Sequence, residues 1–485
     1  MKRFIKALPS ALLIALISIQ AVPAQTVDEG SARTIAENWI RTVIEYKGHW
    51  GESKNAYVSQ VSDFKRGDRV LGYFCLVEPS GHIVVSLLEG LAPIKAFSET
   101  STLNPASDEG PADLLKLQME RILDGIEKRL GPISDITFSD LDTVLALNHY
   151  DTWQQLKSGP LSITGKFNPS GSGRDYEEGQ ELLTSRWHQR WPYNVLCPWA
   201  PPGAGCPNDD SLCAVGCVAT AGAQIMRYWS WPPGRDWPNM PDEMLINPTQ
   251  GEINAVSELC WAVGDAVGMN WCVDGSCGSS VPTSEMQGVY KSWFYSTDCA
   301  WTWRYEWEWY EWYQFIKDNL NQNRPIQYRV EKHSIVCDGW WEAGGPQYHM
   351  NYGWANDYNN WYMVDHLHQP GGGSPDNEYM IHNIYPNCAL GPSISGTYPD
   401  NPAYPHRFVD RDCLAHSVHF EAGQLIHFHP DKTMKCASGY LRIDGEPALH
   451  TRLYTSDPGR GVRIENGSIL MYEGGGIRLR LRRPD

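Results

Sequence analysis

The chain has 485 residues, more than one ordinary domain holds and enough for roughly two to four. Its formal net charge of -17 at pH 7 excludes a broad nucleic-acid surface, which needs clustered Lys and Arg, and argues against a polyanionic partner. The 13 cysteines are an odd number, so at least one thiol is unpaired or pairs outside the chain.

The first residues, MKRFIKALPSALLIALISIQAVPAQ, place Lys2, Arg3 and Lys6 before an apolar stretch from Ala11 to Ile19 and end in small residues. This reads as a secretory signal peptide over 1–24, too short to span a bilayer, and no later stretch is apolar for long enough to do so. Export makes some disulfides expected.

Residues 25–155 read as a small α+β unit. SARTIAENWIRTVIEYK has helical spacing, with Ala36, Trp39, Ile40 and Val43 on one face and Ser31 as N-cap. RVLGYFCLVEPSGHIVVSLL predicts a hairpin, and PADLLKLQMERILDGIEKRLG a second amphipathic helix ending at a glycine. Neither suggests chemistry. Residues 156–180 shift to Gly, Ser, Pro and charge, which predicts an exposed linker open to proteolysis.

The stretch SLCAVGCVATAGAQIMRYWSWP then places Cys217 at the head of a run of small residues closed by Pro232. Gly216 lets the backbone turn, so a helix is expected to begin on a thiol. There the positive end of the helix dipole favours the thiolate, which makes Cys217 a candidate nucleophile. The plainer readings are a core cysteine or a disulfide with Cys213. Further on, WTWRYEWEWYEWYQFIKDNLNQ predicts a helix, IQYRV a strand, and HSIVCDGWW and QYHMNYGW a hairpin turning at Glu342 to Pro346. Residues 405–485 alternate with period two between Gly, Asp and Asn, predicting an all-β module. His427 and His429 would share a strand face there, but His416 and His419 would not, and no Cys or carboxylate accompanies them, so no metal is assigned.

Cysteine peptidase chemistry needs an imidazole beside the thiolate, a group to orient it, and donors for the oxyanion. His333 opens one strand of the hairpin, Asn351 lies on the other, and Gln189 precedes the cysteine helix with an amide to offer. On spacing alone these remain a surface histidine, a turn residue and a solvated side chain, and His349 is equally available as base.

RWHQRWPYNVLCP, GCVATAGAQIMRYWSWP, RPIQYRVEKHSIVCDGW and YHMNYGWANDYNNWYMV, in this order between Leu182 and Asp365, resemble the streptopain family of secreted bacterial cysteine peptidases. The resemblance implies a papain-like α+β peptidase domain over 181–395, with the nucleophile on Cys217, the histidine on His333, the oxyanion glutamine on Gln189 and the orienting asparagine on Asn351. It also makes 25–155 similar to an inhibitory propeptide, hence a zymogen acting on protein or peptide substrates without a cofactor. Two departures stand out: Glu331-Lys332 replace the glycines usual before the histidine, and Tyr352 stands where the family tends to have Trp. Rival readings are a Cys-His amidase or acyltransferase on cell-wall peptides, and an inactive protein binding partners through its tryptophans.

Overall fold

A computed structural model describes residues 26–163, 176–363 and 378–386, short loop segments within them apart, and the strands of residues 393–473. The expected signal peptide lies outside the described residues.

The N-terminal unit is built from α1 (Glu29–Lys47), strands β1 (Tyr57–Arg66), β2 (Arg69–Glu78), β3 (His82–Ser86) and β4 (Ile94–Ser98), then α2 (Gly110–Leu130), α3 (Phe138–Leu141) and α4 (Tyr150–Ser158). The predicted face of α1 is buried, with Ala36, Trp39, Ile40 and Val43 all packed inside. Its cap is Asp28 rather than Ser31: the Asp28 carboxylate accepts from the Ser31 N–H at 2.7 Å, which satisfies an otherwise unpaired helical donor. The expected exposed linker from 156 is also corrected. Helix α4 runs to Ser158, and Leu156 and Leu161 are buried because they pack beneath α1 with Trp153.

The second unit begins its regular structure with α5 (Cys217–Trp229), followed by α6 (Gln250–Ala266), α7 (Met286–Ser292), β5 (Ala300–Trp303), α8 (Trp309–Leu320), β6 (Ile326–Val330), β7 (His333–Trp341), β8 (Gln347–Asn351), β9 (Asn360–Met363) and β10 (Tyr379–His382). The predicted hairpin of β7 and β8 is present in antiparallel register. The helix expected from Trp301 starts only at Trp309. Ahead of it Ala300–Trp303 pairs with β10, and β-favouring Trp and Thr side chains stand on that pleat.

All ten strands form one antiparallel sheet in the order β1-β2-β3-β4-β9-β8-β7-β6-β10-β5. The two units are therefore sewn together at one seam, where Ala96 pairs with Tyr362 and Phe97 with Trp361. Trp39 and Phe97 from the first unit and Trp341 and Trp361 from the second close over it, with centroids 5.3 to 6.4 Å apart. Four such rings bury about 150–250 Å² each, a gross contribution of about 20 kcal/mol before ordering costs.

Helix α5 lies on the other part of this sheet, its residues Val218 to Met226 buried against β6, β7 and α6. Among the described residues the C-terminal module is all β, but its strands pair in parallel. β11 (Ser393–Tyr398), β13 (Cys413–Phe420), β15 (Thr433–Asp444), β17 (Gly461–Ile464) and β18 (Ile469–Glu473) form one sheet, and β12 (His406–Val409), β14 (Leu425–Phe428) and β16 (Arg452–Tyr454) another. From β11 to β17 the chain alternates between the two. Because β11 pairs with β13, the module begins before the expected boundary at 405. His416 and His419 stand on β13 and His427 on β14, in different sheets, while His429 lies outside the described residues.

Candidate active site

Cys217 is the first residue of α5 and is half-buried. Gly216 before it has φ 87°, and a Cβ there would meet Met269 at 2.8 Å, so the turn that presents the thiol requires glycine. The strand leading to it is held from both sides. Val215 N–H donates to the Gln189 carbonyl at 3.0 Å, and Ala214 N–H to the Cys277 carbonyl at 2.9 Å. Two disulfides, Cys206–Cys277 and Cys213–Cys272, tie the same approach to the loop after α6. Cys213 thus pairs with Cys272 and not with Cys217, whose thiol stays free.

Opposite the helix end, β6 turns into β7 through Glu331 and Lys332, the latter at φ 59°. His333 opens β7 and is buried, and the backbone N–H of the next residue, Ser334, lies close enough to the Cys217 sulfur to favour its thiolate. This contact brings the thiol and the histidine strand together. The His333 ring stacks on Trp354 with centroids 4.0 Å apart, and its Nε2 lies 2.9 Å from the Tyr352 carbonyl. A carbonyl can only accept, so Nε2 carries the proton and Nδ1 is the nitrogen left for exchange.

Burial pushes the His333 imidazole down to about 4, against the opposing pull of the Tyr352 carbonyl. Burial likewise raises the Cys217 thiol, although the Ser334, Val218 and Cys217 N–H groups favour its thiolate. The lowering expected at a helix terminus is outweighed by desolvation, which these N–H groups offset only in part. Both shifts favour the neutral thiol and the neutral imidazole over the ion pair.

Asn351 does not orient His333. Its Oδ1 accepts from Gly353 N–H at 3.0 Å and from Gln224 Nε2 at 3.1 Å, and its Nδ2 donates to the Ser185 carbonyl at 2.8 Å. On β8 its side chain faces α5, where it braces the turn carrying Tyr352, and the carbonyl of Tyr352 does the orienting. No sequence pattern marks a backbone carbonyl as the partner. Gln189 is half-buried beside the approach to Cys217, and its side-chain amide makes no hydrogen bond to the described residues. His349 is elsewhere: its Nδ1 is 2.6 Å from Asp338 Oδ1 and its Nε2 3.5 Å from Glu181. Burial lowers its pKa, but the Glu181 and Asp338 carboxylates outweigh that and leave it raised.

Residues 187–235 and 233–362, which contain Gln189, Cys217, His333 and Asn351, match the Peptidase C10 family model. Over these residues the chain is similar to the Peptidase C10 family. The chain is 29% identical over 241 residues to streptopain of Streptococcus pyogenes, covering 40% of this chain and 59% of that protein. It is 26% identical over 245 residues to the thiol protease/hemagglutinin PrtT of Porphyromonas gingivalis, covering 43% of this chain and 27% of that one. The chain thus spans less than two thirds of the length of both. Among solved structures, a prointerpain A fragment of Prevotella intermedia superimposes with TM-score 0.48 at 21% identity, over 67% of this chain and 98% of that one.

Proposed function

We propose that this chain is a secreted cysteine endopeptidase made as a zymogen. The observation that carries the reading is the meeting of Cys217, at a helix N-terminus, with the strand of His333, whose Nε2 is engaged by the Tyr352 carbonyl so that Nδ1 is free to exchange a proton with the thiol. The match of residues 187–235 and 233–362 to the Peptidase C10 family model supports it.

In the processed state, water returns to the cleft and both pKa values move toward ion-pair formation. The Cys217 proton passes to His333 Nδ1. The thiolate then adds to the scissile carbonyl carbon, and the resulting oxyanion accepts from the Cys217 N–H and the Gln189 amide. The imidazolium gives its proton to the leaving amine as the C–N bond breaks, and water then hydrolyses the thioester with His333 as base.

The zymogen part of the reading rests on α2, which lies over the corner between β6 and β7 with Arg121 paired to Glu331, and on desolvation that disfavours the ion pair of Cys217 and His333. Secretion rests on the basic, then apolar, then small-residue order of the first 24 residues. Release of peptides from an unstructured protein substrate, measured with and without a thiol alkylator, tests the activity. Hydrolysis that survives alkylation of Cys217, or no hydrolysis after the N-terminal unit is cut away, would count against it.

A further inference from the structure

The N-terminal unit occupies a definite slot beside His333. Arg121, on α2, is ion-paired with Glu331. Glu331 stands two residues before His333, so their Cα atoms are at most about 7 Å apart. Around this pair, Leu114 and Gln118 of α2 face Val330, Tyr352, Tyr362 and Glu378 of the second unit. Tyr352 is the residue whose carbonyl holds His333.

When the N-terminal unit leaves, α2 and Arg121 leave with it. What stays behind is an apolar and aromatic wall of Val330, Tyr352 and Tyr362, with the carboxylates of Glu331 and Glu378 along it. Glu378 already accepts from the Tyr328 hydroxyl at 2.5 Å, so Glu331 is the acid that loses its cation. A lysine or arginine side chain suits such a slot, because its aliphatic stem packs on rings while its charged end reaches an acid. An acidic side chain there would meet two like charges.

We propose that Glu331, with Val330 and Tyr352, forms a specificity subsite of the processed peptidase for a lysine or arginine side chain of the substrate, filled in the proform by Arg121. The inference rests on the peptidase reading above and adds the substrate class at that site. Lys332 and Arg329 also bear on the Glu331 carboxylate and offset part of its charge, and the Arg121–Glu331 pair is partly open to water. The preference is accordingly modest, about fivefold, the upper range for an accessible ion pair.

The test uses the processed enzyme, counted by titrating Cys217 with an alkylator, and peptides in which each position near the cut carries Lys, norleucine or Glu in turn. At one position kcat/KM should run Lys above norleucine above Glu, with Lys about fivefold ahead of norleucine. The readout is this ratio, so a general loss of activity cancels. Glu331→Gln should bring it to about one, and Glu331→Lys should reverse it. In the unsubstituted enzyme the ratio should shrink on raising salt from about 0.05 to 0.5 M, which serves as the test should either variant fail to fold. Hydrolysis abolished by alkylation but with no preference for Lys at any position, or with a preference unmoved by both Glu331→Gln and salt, overturns the subsite and leaves the peptidase reading standing. Absence of thiol-dependent hydrolysis of any peptide would remove both.

Discussion

Cys217 heads α5 and His333 opens the strand against it, and desolvation shifts each further toward its neutral form. Replacing Cys217 by Ala removes the sulfur and leaves the helix start intact, so peptide release should vanish while the melting temperature stays near that of the parent. Turnover close to the parent's would refute the nucleophile. His333→Ala should be comparably severe. If His349→Ala proved the damaging change per folded molecule and His333→Ala a mild one, the base would be misassigned. Gln189→Ala should lower turnover about a hundredfold, the loss expected for one of two oxyanion donors. Asn351→Ala has a different signature. It strips partners from the Ser185 carbonyl, the Gly353 N–H and Gln224, and an unsatisfied buried group costs about 1–3 kcal/mol. It should therefore lower stability well before it changes the pH dependence of turnover; an intact melting temperature with an altered pH profile would restore the orienting role to Asn351.

At the scale of elements, the approach to α5 matters as much as the helix itself. Cys206 and the lead-in from Ser211 to Cys217 are pinned by two disulfides and by backbone bonds to Gln189 and Cys277. Cys213–Cys272 is buried and closes a loop across 59 residues. Its removal in a Cys213→Ala, Cys272→Ala double variant should reduce unfolding free energy by about 2–4 kcal/mol, as measured by denaturant titration. Turnover per titrated Cys217 should fall as well, because the thiol and the oxyanion amide are referenced to each other through this strand. Unchanged turnover in a destabilised but folded variant would limit the bridge to stability.

For the whole molecule, the seam between β4 and β9 makes the N-terminal unit part of one continuous sheet. A Cys217→Ala chain should keep that unit attached, whereas the parent trims it. The flanks at Leu161 and Tyr176 are buried, so N-terminal sequencing of the trimmed form should begin between 162 and 176. Trimming of the Cys217→Ala chain with no other protease present would exclude self-processing. The same attached form carries a pH signature. His82 in the N-terminal unit and His333 are both lowered to about 4 by burial, so the unfolded chain takes up protons first as pH falls. Their contribution to stability is full above pH 6.5 and is lost progressively between pH 6.5 and 4. His349, raised by its carboxylates, has the opposite sign and is lost only as pH rises through its folded value. Melting temperatures of the Cys217→Ala chain should therefore drop between pH 6.5 and 4; a flat profile across that window would contradict the burial of these rings as neutral groups.

The sequence by itself determined the elements whose reasons are local. The apolar face of α1, the glycine at which α2 ends and the β7–β8 hairpin follow from periodicity and turn chemistry, and Gly216 before Cys217 announces a helix that starts on a thiol. Motif resemblance then placed Cys217 and His333, which the tertiary structure brings together and which spacing could not separate from His349. Other decisions needed the folded chain. The orienting group is the Tyr352 carbonyl, and a backbone group leaves no trace in residue identity. Trp301 to Trp303 became a strand because β10 offers it a partner, and Cys213 found Cys272 because the loop after α6 comes alongside. The pKa shifts of Cys217 and His333 also needed the folded chain. The N–H groups at the helix start favour the thiolate of Cys217, but desolvation opposes them and is the larger effect, which only the packed chain sets.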